Sequence, residues 1–313
     1  MRRRLRRALQ GVVARMSDPR ALDEFLARRG QDRRLARLTH DVPVPVAEGL
    51  EFEARAAPTR LSRHHAVHYV DDPRDPAAAA PGAVPLDIAW TGAGSLAALC
   101  GRHDHYDFAI AAEAIHRVPN LLGWFRAVCA VLRPGGVLNL AVPDGRFTAD
   151  LARPPSTLGE AVEADLLAYD RPSPRQLFGH VAGAAAVETG RIWTEDLSPA
   201  GLPRLHGPEA LALAHAQARE AAASGAFVAC PCWVFTPLAF LDLIEGASRL
   251  GLFPFVVSQF AATEPGEGVF YACLRRDAER DPEALLRLQL GAIAHVRAIA
   301  ERQIRVARRL AAG

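Results

Sequence analysis

The sequence predicts a doubly wound α/β fold around a mostly parallel, seven-stranded sheet, and three observations carry that prediction. From about Asp41 onward, short apolar runs alternate with turns bearing Pro and Gly, as buried strands alternate with helices. Between Tyr106 and Val142 one such unit is complete: an apolar run at Tyr106–Ala111, a helix over Asn120–Leu132 and a second run at Gly136–Val142. Parallel strands need crossovers of this kind. Near the end, runs at Phe253–Ala262 and Gly268–Leu274 flank Glu264-Pro265-Gly266, which predicts an antiparallel hairpin closing the sheet.

The elements follow in chain order. Arg2–Leu38 has helical spacing, with Leu5, Leu9, Val12, Val13 and Met16 in one run and Leu22, Phe25, Leu26, Leu35 and Leu38 in the next, separated by Ser17-Asp18-Pro19. A cap residue before a proline starts a helix, so two amphipathic helices form a basic arm over residues 1–40. Strands are expected at Gly49–Glu53, Ala66–Val70 and Pro85–Ala89. The Asn120–Leu132 helix presents Leu121, Leu122, Phe125, Val128, Cys129 and Leu132 on one face. Asp144 to about Phe227 is alanine-rich and helical in pattern, and reads as a helical insertion. Thr236-Pro237 is an N-cap and first helical residue opening a helix to about Leu250. A last helix, Pro282 to about Leu310, carries Leu286, Leu290, Ile293, Ala300, Ile304 and Ala307, and would dock on the body or pair in a coiled coil as a homo-oligomer. The organisation expected is therefore an arm at 1–40, a main domain at 41–280 and a C-terminal helix at 281–313.

Composition narrows the function. The 313 residues are 50% hydrophobic and 23% charged, which is globular and excludes disordered, collagen-like and disulfide-scaffold classes. All 37 basic side chains are arginine, so Schiff-base and Walker-type lysine chemistry is excluded. A formal net charge of +2 lacks the field of a nucleic-acid binder, and no nucleic-acid partner is expected. The arginine-rich faces of the arm suit an anionic membrane surface or another acidic partner, or else are solvated. Five cysteines without CxxC pairs or a secretory signal favour reduced thiols and a cytoplasmic protein, with the arm allowing contact with the inner membrane. His64, His65, His68, His103 and His105 read as surface or turn histidines, and no metal site is assigned.

One stretch points further. Tyr106-Asp107-Phe108-Ala109-Ile110, then Val118-Pro119-Asn120, then Leu132-Arg133-Pro134-Gly135-Gly136-Val137-Leu138 through Val142-Pro143 resembles the second half of a class I S-adenosylmethionine-dependent methyltransferase domain. Pro134-Gly135-Gly136 is expected to end the helix in a left-handed turn and start the next strand. Gly49-Leu50-Glu51-Phe52, Tyr69-Val70-Asp71, Asp144-Gly145-Arg146-Phe147 and Trp233-Val234-Phe235-Thr236-Pro237 resemble, in order, motifs of a bacterial branch of that superfamily often met beside glycosyltransferases. The resemblance implies a Rossmann-like sheet with S-adenosylmethionine across the carboxyl ends of the first strands. It assigns cofactor contacts to Gly49, Glu51, Asp71, Asp72, Ser95 and Leu96, and leaves Glu113, His116, Asp144 and Arg146 as catalytic candidates. The acceptor implied is a small molecule or glycan.

The chain also departs from the pattern. Glu53-Ala54-Arg55 stands where the family has glycine with small residues, and Gly92-Ala93-Gly94-Ser95-Leu96 lacks the acid expected on the adenine side. His116-Arg117 replaces an acid–histidine pair, and Ala229-Cys230-Pro231 has lost another acid and histidine. Two readings follow: an active methyltransferase with a divergent pocket, or a catalytically inactive fold serving as a binding or scaffold protein in a surface-polysaccharide-type pathway.

Overall fold

A computed structural model describes residues 19–75, 82–195 and 197–311. The first expected helix of the arm lies outside the described residues; the second is present but broken, as α1 (Pro19–Gln31) and α2 (Arg33–Leu38). The break falls at Asp32, whose side chain accepts a hydrogen bond from the Leu35 amide and caps α2. The remaining elements are β1 (Ala47–Phe52), β2 (His65–Asp71), β3 (Ile88–Ala89), α3 (Leu96–Cys100), β4 (Tyr106–Ala112), α4 (Leu121–Val131), β5 (Leu132–Pro143), α5 (Leu158–Leu166), α6 (Pro174–Gly183), α7 (Thr189–Thr194), α8 (Ala210–Ser224), α9 (Pro237–Arg249), β6 (Val256–Ala261), β7 (Val269–Arg275) and α10 (Pro282–Ala311).

The seven strands form one sheet in the order β3-β2-β1-β4-β5-β7-β6, with β1 to β5 parallel and β7 antiparallel to both neighbours. This is the Rossmann-like arrangement with a closing hairpin that the sequence predicts. Strand order reverses between β1 and β4, so the crevice beyond their carboxyl ends is where such sheets take ligands.

Two expectations shift in detail. The strand expected over Pro85–Ala89 pairs only through Ile88 and Ala89, because Asp87 turns its carboxylate back to the Tyr69 amide (2.9 Å). The helix before Pro134 ends at Val131, three residues earlier than the turn: Leu132 already pairs with Tyr106, and Gly135 takes its positive φ (+83°) at a bulge inside β5. Gly136 is equally constrained, since a Cβ there would lie 2.9 Å from the Arg133 carbonyl oxygen.

The core is continuous across one sheet face, where Trp124, Phe125, Trp233, Phe240, Phe255 and Phe270 are almost wholly buried. The opposite face is covered by the arm, with Leu38 and Val42 against Phe108, Ile110, Val137 and Ala141. The C-terminal helix α10 docks on the body: Ile293, Val296 and Ala300 enter the core, and Gln289 donates to the Phe253 and Phe255 carbonyls (2.8 and 3.1 Å). Between β5 and α9 the described residues carry α5 to α8, with α5 and α6 opened by capping boxes at Thr157 and Ser173. Among the described residues no helix is long and apolar enough to cross a membrane.

Candidate functional site

The site begins where β1 leaves the sheet. Phe52 is the last strand residue, and Glu53, expected to continue the strand, instead takes a left-handed conformation (φ +52°) while its amide donates to the Val70 carbonyl (3.1 Å). A side chain in that conformation costs about 1 kcal/mol that glycine would not. The turn therefore keeps the geometry of a glycine loop while carrying a carboxyl into the cleft.

Beside it, Asp71 ends β2 and Arg55 reaches across, Nη1 to Oδ2 at 3.7 Å, while Arg55 Nε donates to the Val84 carbonyl (2.7 Å). Asp72 is gripped by Arg74 through two donors, Nε and Nη2. Arg74 in turn lies over the Phe227 ring (4.5 Å) and donates to the Asp170 carbonyl (2.6 Å). Arg117 enters from the loop after β4. Its Nη2 donates to Asp75, and its Nε stands 3.8 Å from Glu53 Oε2. Phe52, Trp90 and Trp124 supply the apolar side, with Phe52 edge-on to Trp124 (5.0 Å) and the two indoles stacked at 6.5 Å.

Packing of these groups sets their protonation. Burial pushes the Glu53 carboxyl up to about 8, against the pull of Arg117, and Asp71 up to about 6, against the pull of Arg55. Glu51 rises to about 7 by burial, although the Thr59 amide donates to its Oε1 (2.8 Å). Its Oε2 is buried with no partner among the described residues.

The other sequence candidates are spread apart. Gly49 lies inside β1, where a Cβ would meet the Phe108 ring at 2.5 Å. Ser95 caps α3, accepting from the Ala98 amide, and Leu96 is buried in the core. Glu113, at φ +56°, turns to the arm and binds Arg34 (2.8 Å). The His116 carbonyl accepts from the Cys232 and Trp233 amides, while its Nδ1 is buried without a partner among the described residues and its ring is pushed down to about 4 by burial. Asp144, wholly buried, holds Arg146 through two donors and accepts from the Thr263 hydroxyl (2.6 Å). Asp144 and Arg146 thus clamp the end of β5 to the end of β6. Behind them Asp150, Arg153 and His180 form a separate buried group, with Arg153 Nη1 2.7 Å from Asp150.

Sequence reasoning placed Glu53, Arg55, Asp71, Asp72 and Arg117 near the cofactor position, but missed Asp75, Trp90 and Trp124. Aromatic residues in α/β sequences read as core. Asp75 is 42 residues from Arg117, and no local pattern pairs them. Among the described residues no group of three His, Cys, Asp or Glu side chains is placed to hold a metal.

A family model for a methyltransferase domain matches residues 1–195. The chain belongs to this methyltransferase-domain family. It is a class I S-adenosylmethionine-dependent methyltransferase-like protein, and S-adenosylmethionine is the cofactor of its family. The match ends before β6 and β7, which complete the seven-stranded methyltransferase sheet. No curated protein matches the chain. Similar solved structures include a putative Zn-dependent alcohol dehydrogenase from Rhodobacter sphaeroides (16% identity, 79% of this chain, 90% of that one, TM-score 0.45). Others are S-adenosylmethionine-dependent methyltransferases from Aquifex aeolicus (11%, 84% and 96%, TM-score 0.39) and Mesorhizobium loti (16%, 78% and 96%, TM-score 0.38). The family assignment rests on the domain model.

The residues at the methyltransferase cofactor position do not fit the cofactor as they stand. The cleft between Phe52, Asp71, Trp90 and Arg117 encloses about 30 Å³, and the adjoining hollow beside Arg55 about 80 Å³. Each holds a few waters at most, whereas a ligand of this size occupies a pocket of roughly 300 Å³ or more. Asp71, a cofactor contact by the sequence resemblance, is held by Arg55, and beside it stands the Glu53–Arg117–Asp75 chain.

Proposed function

We propose that this methyltransferase-like chain acts by binding rather than by methyl transfer, with its cofactor cleft closed by its own side chains. The observation that carries this reading is Arg117, held between Asp75 and Glu53 in the space beside Asp71. An ion pair with part-buried partners, against a Trp-lined wall, is not displaced without uncovering charge. Bulk and charge in a glycine loop remove the close backbone approach that the methionine end of the cofactor requires.

The test is calorimetric and thermal-shift titration with S-adenosylmethionine and S-adenosylhomocysteine to about 1 mM, near the weak end of specific binding. No heat and no shift are expected for the wild-type chain. Glu53→Gly with Arg117→Ala, which empties the cleft, should produce a saturable shift. Saturation by the wild-type chain, with methyl transfer from labelled cofactor to a small-molecule or glycan acceptor that is lost in Asp71→Ala, would overturn the binding-only reading.

A further inference from the structure

A second cavity, of about 300 Å³, opens between the N-terminal arm and the loop that follows β1. Its lining includes Arg28, Asp32 and Arg34 of the arm, Thr59 and Arg60 of the loop, and Ala112, the last residue of β4. It therefore stands at the carboxyl ends of β1 and β4, where strand order reverses. None of its lining residues borders the closed cleft.

We propose that this cavity binds a phosphate monoester. Three guanidiniums face one carboxylate in the lining, and that carboxylate, on Asp32, is already turned to the Leu35 amide (2.9 Å). Arg34 is committed to Glu113 at 2.8 Å. Arg28 and Arg60 are not: among the described residues neither forms a salt bridge with a carboxylate, and Arg28 Nη2 instead donates to the Arg60 carbonyl (2.6 Å). That bond ties the arm to the loop, and both arginines line the same cavity. Both are exposed, so their donors are open to a dianion, and the planar donor fork of arginine matches phosphate oxygens in pairs. Leu35 and Pro58 offer apolar wall to the organic part of the ester. The site is independent of whether the cofactor cleft is closed.

The full chain is titrated with inorganic phosphate and with glucose 1-phosphate at low salt, followed by calorimetry and by ³¹P NMR. Saturation is expected in the low-millimolar range or below, weakened about tenfold or more by Arg60→Ala and further by Arg28→Ala with Arg60→Ala, since each removes a charge-assisted contact. Arg249→Ala, which breaks an exposed pair on α9, should leave binding unchanged. Tighter binding of the sugar phosphate assigns a phosphorylated sugar-sized ligand, and equal binding assigns recognition to the phosphate group alone. Arg60→Ala removes an exposed side chain without an ion-pair partner among the described residues, so it remains decisive where the double variant loses its fold. Absence of saturation by about 20 mM, beyond specific recognition, or undiminished affinity in Arg60→Ala, overturns the proposal.

Discussion

Glu53→Gln isolates the electrostatic consequence of closing the cleft. In the unfolded chain this glutamate is ionised throughout the interval from pH 7 to 9, whereas in the fold burial holds its carboxyl at about 8. A carboxyl raised in this way favours the native state while protonated. Its contribution is fully present below the unfolded value and is lost as pH rises through the folded one. From pH 7 to 9 the native state gives up the equivalent of one proton over one pH unit, about 1.4 kcal/mol. The side chain is 25% exposed, so solvent screening brings the expected loss nearer to ~1 kcal/mol. Urea unfolding at the two pH values measures it. The wild-type chain should lose about 1 kcal/mol more over this interval than Glu53→Gln, because the cysteines and tyrosines that titrate at the upper end are common to both. Identical pH dependence in the two proteins would refute the assignment of Glu53 to a buried cleft.

Other expectations follow from packing. Gly49→Ala places a methyl 2.5 Å from the fully buried Phe108 ring and should cost about 2 kcal/mol by forcing β1 away from β4, read from the midpoint of chemical denaturation. Asp144→Asn removes the charge that holds Arg146 and faces the Thr263 hydroxyl in a wholly buried position, with an expected loss of about 2–3 kcal/mol and an unchanged far-ultraviolet spectrum at low temperature. Thr157→Ala dismantles the capping box of α5 and should lower stability by about 1 kcal/mol by the same measurement.

Much of the scaffold was legible in the chain because its signals are local. Thr236 caps α9 and Pro237 opens it, as their order requires, and the Glu264-Pro265-Gly266 turn joins β6 to β7. Apolar continuity from Val137 to Val142 gave a buried central strand, and all six of those residues but Asn139 are apolar. Asn139 is tolerated there because its side chain donates to the His40 carbonyl (2.9 Å), a contact 99 residues distant that no spacing rule anticipates. Where local rules competed, they failed by a few residues. The Pro134-Gly135-Gly136 turn signalled a helix end, but pairing of Leu132 with Tyr106 drew the chain into the sheet first.

By itself, then, the sequence determined the seven strands in chain order, the helices α4, α9 and α10, the absence of lysine chemistry, and the kinship of the fold with methyltransferases. Even the suspicion that arginine had entered the cofactor loop was present in Glu53-Ala54-Arg55 and His116-Arg117. Only the tertiary structure decided what those charges do, since Arg55 meets Asp71, and Arg117 meets Asp75 and Glu53, across separations of 16 to 64 residues. Hydrophobic periodicity is a property of neighbours along the chain, and it fixes strands and helices. Whether a cleft is open is a property of side chains brought together by the sheet, where a single guanidinium between two carboxyls occupies the space that a ligand would need.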